Sequence, residues 1–157
     1  MPNATDCRIV VNGVEFAPQD IVNEAYAHYI MNKAPFGWDE NRSECVYRSP
    51  SDPEARCVMG HLFEMAGVDE SEAFWDEVIS VNVLANKDDS DYTFLDGTNE
   101  VGVDFLSNMQ STHDCAAGDS CNRDRFKDGL SATAEAWDLI DPTATPLTTR
   151  GESSSPA

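Results

Sequence analysis

Apolar residues along the chain recur at two different intervals. Near the N-terminus Ile9-Val10-Val11 and Val14-Glu15-Phe16 flank Asn12-Gly13. That dipeptide suits a type I′ turn, whose two central residues both need positive φ, and it predicts a hairpin over Arg8 to Phe16. From Pro18 onward the interval becomes helical. Ile21, Val22, Ala25, Tyr26, Tyr29 and Ile30 form one stripe, Pro18 fits a first turn, and Pro35 and Gly37 supply the stop.

Cys45-Val46-Tyr47-Arg48 has strand character and is followed by the turn-rich segment Ser49 to Pro53. The chain resumes at Arg56-Cys57-Val58-Met59, so a loop or wide hairpin is predicted that brings Cys45 near Cys57. Val58, Met59, Leu62, Phe63 and Ala66 mark a short helix with Gly67 at its end. Asp69 and Glu72 resemble a capping pair for a helix through Phe74, Val78 and Val81, and Lys87 to Asn99 reads as an acidic loop.

The spacing next predicts a helix over Val101 to His113, with Phe105, Leu106 and Met109 on one side. Asn122 is a suitable N-cap for a helix over Arg123 to Leu139, where Phe126, Leu130, Ala134 and Trp137 repeat on one face. Beyond Asp141 the Pro, Thr, Ser and Gly content predicts a disordered tail. The expected fold is α+β and predominantly helical, about five helices with one or two short β-hairpins. A single domain is expected over residues 1–140, and the tail over residues 141–157.

Charge narrows the function classes. Ten Lys and Arg against 29 Asp and Glu leave a formal charge of −19 on 157 residues. Nucleic-acid binders neutralise phosphates with basic side chains, and anionic membranes select for the same residues, so direct contact with either is not expected. No apolar run is long enough to span a bilayer, and the N-terminus lacks the pattern of a signal peptide. Between Asp69 and Asp104 eleven acidic residues stand against the single Lys87. The plain interpretation is a solvated, solubilising face. The sharper one is a docking face, including Asp88, Asp89 and Asp91, that imitates nucleic acid and occupies a basic site on a partner.

Motifs for phosphate, dinucleotide or zinc-protease chemistry are absent, and so is Cys-x-x-Cys. The five cysteines, an odd number without a secretory signal, read as reduced thiols, most simply small buried apolar residues. The most informative local pattern is Leu106, Met109, Gln110 and His113, at i, i+3, i+4 and i+7 on one helical face. Gln110 and His113 should therefore be partly buried and need partners. A structural network, with Asp114 paired to Arg48, is the plain interpretation. A ligand pocket of Tyr47, Arg48, Gln110, His113 and Asp114 is the second. A zinc site of Cys45, Cys57, His113 and Cys115 or Cys121 is the third, although the cysteine spacings are not those of a zinc knuckle.

Taken together, Cys45-x-Tyr47-Arg48, Arg56-Cys57-x-x-Gly60-x-Leu62 and Leu106-x-x-Met109-Gln110-x-x-His113-Asp114 resemble a small phage and prophage family of accessory proteins. The similarity covers Asp20 to Leu139 and departs over Asp69 to Asn99, which is longer and more acidic here. The resemblance implies a phage or prophage origin and a cytoplasmic life in an infected or lysogenic bacterium, and it implies no activity. The expected function is a non-enzymatic accessory protein that binds a host protein with a basic surface, for instance a defence or nucleic-acid-handling factor. The alternatives are a module that binds or sequesters a nucleotide-like small molecule, and a small hydrolase or thiol enzyme using His113.

Overall fold

Asn12 and Gly13 sit at φ 51° and 81°, the left-handed pair that a type I′ turn requires. They fold Ile9–Val11 (β1) back onto Val14–Phe16 (β2), with Val11 opposite Val14 and Ile9 opposite Phe16. This computed structural model describes residues 4–39, 44–49, 52, 54–68, 81, 85, 93–117 and 122–144. β1 is buried along its whole length, whereas β2 is largely exposed. The free side of β1 is stitched to a later turn. Thr98 Oγ1 accepts the Val10 N–H and donates to the Val10 carbonyl, both at 2.9 Å, and the Asn12 N–H donates to the Phe94 carbonyl at 2.6 Å.

Helix α1 (Pro18–Ala25) begins on its proline and buries Ile21, Val22 and Ala25. It continues as a π-helical turn over Tyr26–Met31 that buries Tyr29. The helix stops there, ahead of Pro35 and Gly37, with Lys33 at φ 55°. Carbonyls at the end of the π turn and just beyond it are bound by a guanidinium from far along the chain. Arg123 Nη1 donates to the carbonyls of Tyr29 at 2.7 Å and Ala34 at 2.9 Å, Nη2 donates to Lys33 at 3.3 Å, and the group lies 4.9 Å above the Phe36 ring.

Trp38–Asp39 (β3) pairs antiparallel with Glu44–Cys45 (β4), Trp38 opposite Cys45. The strand character expected at Cys45 is therefore answered by Trp38. The wide connection to Arg56 also forms: Arg48 bridges Arg56, and the Ser49 N–H donates to the Ala55 carbonyl at 2.8 Å. Helix α2 (Val58–Met65) follows, then α3 (Glu100–Ala117) and α4 (Arg123–Ala136). Asn122 caps α4 as its sequence predicts, its Oδ1 accepting the Arg125 N–H at 3.0 Å.

The core lies between α3 and α4 on one side and α1, its π turn and α2 on the other. Phe126, Leu130, Phe105, Leu106, Met109, Tyr29, Met59 and Phe63 are all wholly buried. Burial of each large side chain of this kind contributes about 2 kcal/mol. Phe105 meets Trp137 edge to face at 5.1 Å, and Tyr29 meets Phe126 likewise at 5.1 Å. The helix predicted from Asp69, the residues Asp88, Asp89 and Asp91 of the predicted acidic loop, Cys121 and the predicted tail after residue 144 lie outside the described residues. Val81 is an exception, helical and buried. No helix among the described residues is long and apolar enough to cross a membrane.

Candidate functional site

Helix α3 carries Leu106, Met109, Gln110 and His113 on one face, as the spacing predicts. Leu106, Met109 and His113 are fully buried and Gln110 is half-buried. This face meets the loop through Gly37, strand β4 and the start of α2. The backbones approach closely there. A Cβ on Gly37 would lie 2.3 Å from the Cys57 nitrogen and 2.5 Å from the Val46 oxygen, and one on Gly60 would lie 1.9 Å from the Tyr47 oxygen. No larger residue fits either position without moving backbone.

His113 stands in an aromatic box, 5.3 Å from the Phe36 ring and 5.7 Å from the Tyr29 ring between centroids. Its Nε2 accepts the Gly37 N–H at 3.0 Å, in a fully buried hydrogen bond. A nitrogen that accepts a hydrogen bond carries no hydrogen, so in the neutral ring the proton sits on Nδ1. Nδ1 lies 3.0 Å from Asp114 Oδ1 and donates to it. Burial lowers the His113 pKa below its ordinary value, and the hydrogen bond and charge of Asp114 only partly oppose this. The ring is neutral at pH 7 and both its nitrogens are engaged.

Asp114 gathers the rest of the cluster. Gln110 Nε2 donates to the same Oδ1 at 2.8 Å, while Gln110 Oε1 accepts the Met59 N–H at 3.2 Å. That donor belongs to the first turn of α2, where helices leave N–H groups without internal partners. Cys57 caps the same turn, its Sγ accepting the Gly60 N–H at 3.4 Å. Burial pushes the Cys57 thiol up to about 12 despite that bond. Burial also raises the Cys45 thiol far above the usual range, helped by the charge of Asp114 and a hydrogen bond to it. Protonated thiols are poor nucleophiles, so neither cysteine is activated for covalent chemistry.

The structure brings together Cys45, Cys57, Gln110, His113 and Asp114. The Tyr47 ring instead turns into the core, edge to face against Phe63 at 5.3 Å. Arg48 is half-exposed and contributes its backbone to the bridge with Arg56. Cys115 is exposed, its carbonyl accepting from Arg125 at 3.3 Å. The partners of Asp114 described above are His113, Gln110 and Cys45, where the sequence suggested Arg48.

Ligating atoms of Cys45, His113 and Asp114 lie within 4.8 Å of one another, a spacing a metal could bridge. The donor chemistry opposes it. A metal on His113 Nδ1 would move the ring proton to Nε2, which would then point at the Gly37 N–H, donor against donor. The residues therefore do not fit zinc without loss of a buried hydrogen bond. For the same reason His113 has no free lone pair with which to act as a general base.

Two features escaped the sequence. His28 and His61 stack with ring centroids 3.7 Å apart, and His61 Nε2 lies 2.9 Å from Glu24 Oε2. Beside them a groove of about 390 Å³ runs between α1 and α2, lined by Phe16, Asp20, Ile21, Glu24, Leu62 and Met65 among others. The only local signal for the groove is the polar edge Asp20, Asn23, Glu24 beside the apolar stripe of α1. The chain matches no family model, no curated protein and no solved structure.

Proposed function

We propose that this chain is a non-enzymatic, phage-type accessory protein that binds a basic surface of a bacterial host protein. The observation that carries the reading is the formal charge of −19, with eleven acidic residues concentrated between Asp69 and Asp104. Such a field raises the encounter rate with a positive surface and repels phosphate. A binding role is also supported by the polar cluster on α3. Its histidine has both nitrogens engaged and its two inner thiols are protonated, so its polar groups brace the fold and leave none poised for catalysis. The three motifs that suggest the phage family fall on this brace: Cys45, Tyr47, Cys57, Gly60, Gln110, His113 and Asp114 hold α2 and α3 together.

The nucleotide-binding alternative draws less support, because the Tyr47 ring packs on Phe63 and His113 is closed off by Gly37. The test is affinity capture of the tagged chain from infected or lysogenic bacterial cells, with proteins and small molecules both identified by mass spectrometry. The expected result is a protein released by salt and recaptured when purified. Recovery of a small molecule with no protein partner would overturn the proposal.

A further inference from the structure

The groove between α1 and α2 has a floor and a wall of different character. Ile21 and Leu62 are buried at its base, Phe16 is half-buried at the side, and Met65 is 47% exposed at the end of α2. Asp20 and Glu24, one turn apart on α1, stand along one edge with Asn23 between them, and among the described residues no Lys or Arg lines the groove. The Glu24 carboxylate is held by His61 at 2.9 Å, so its position is fixed. An exposed methionine over an apolar floor is a flexible surface suited to an inserted side chain. A carboxylate edge one helical turn long selects the charge of whatever inserts it.

We infer that this groove is the recognition subsite for a short partner segment in which an apolar side chain is flanked by Lys or Arg. The apolar residue fills the space over Ile21, Leu62 and Met65, and the basic residues meet Asp20 and Glu24. Charge complementarity selects this occupant: an acidic or neutral apolar segment would bring no counter-charge to the two carboxylates, and the strongly negative molecule would repel an acidic one. The inference rests on the proposed binding of a basic partner and deepens it. The acidic surface as a whole governs encounter, and the groove governs how long the complex lasts.

The probe is a labelled peptide of alternating Lys and Leu, compared with the same peptide after Leu→Ser replacement and after Lys→Glu replacement. Binding is followed by anisotropy and by NMR of the side-chain methyls. The Lys-Leu peptide should bind saturably and shift the methyls of Ile21, Leu62 and Met65, and the Lys→Glu peptide should not bind. Met65→Ser should weaken binding by about fivefold, through faster dissociation, because apolar contact area is lost. Asp20→Asn, at an exposed position, should weaken it as well and reduce its salt dependence. Equal binding of the Lys-Leu and Lys-Ser peptides with silent groove methyls would overturn the groove while leaving the acidic-surface reading intact. Failure of every basic peptide to bind at low salt would overturn both.

Discussion

His113→Ala would remove the acceptor of the Gly37 N–H and leave a void beside Phe36 and Tyr29. An orphaned buried donor costs about 1–3 kcal/mol, and the lost volume adds to that. Urea unfolding should therefore show a loss of about 3 kcal/mol. His113→Gln, whose Oε1 could accept the same N–H, should recover part of it. Gly60→Ala should be worse, because its Cβ would collide with the Tyr47 carbonyl oxygen. No soluble folded protein is expected from that variant by circular dichroism. Acid should act through His28. Burial lowers its pKa from 6.5 to about 4, with His61 and Arg56 adding to the effect in that order. As pH falls below 6.5 the unfolded chain takes up this proton first. Stability is thus fully present above pH 6.5 and is lost as pH falls toward about 4. His113, also lowered, acts in the same direction. His28→Asn should flatten the pH dependence of the unfolding free energy over that window, and an unchanged slope would count against this assignment.

Among the elements, the π turn depends most on distant help. Arg123 reaches from α4 to three carbonyls at the end of Tyr26–Met31 and just beyond it. Arg123→Ala should cost about 2 kcal/mol and speed amide exchange at Asn32 and Ala34, whose N–H groups bond back to Ala27 and His28. Unaltered exchange there would show that the turn holds itself. These elements also mark what the sequence could and could not reveal. The β1–β2 hairpin was legible because Asn12-Gly13 is a local signal, and α3 and α4 were legible because periodicity is local too. The inward face of Gln110 and His113 follows from the same spacing. The π turn was not legible, since one wider turn barely disturbs an apolar stripe. Nor was the pairing of Trp38 with Cys45, which rests on two residues per strand. The bond from Gly37 to His113 joins residues 76 apart in sequence, and no spacing rule reaches that far. The stack of His28 on His61 is hidden for the same reason.

At the scale of the whole molecule, the formal charge of −19 sets up long-range self-repulsion. Self-repulsion opposes the compact state, so the thermal midpoint should rise as salt increases from about 0.05 M to about 1 M, where the screening length falls to about 3 Å. The same field should work in reverse on binding. Asp→Asn keeps the size of the side chain and removes its charge, so replacing Asp88, Asp89 and Asp91 by Asn together tests their charge alone, with retention of the fold checked by circular dichroism. The most direct measurement is the association rate of the captured partner with the native chain and with this triple variant, across a salt series. The account predicts that the native rate falls steeply as salt rises, that the variant is slower at low salt, and that the two converge at high salt while dissociation rates change little. Equal association rates for the two proteins at low salt would contradict a docking role for this acidic segment.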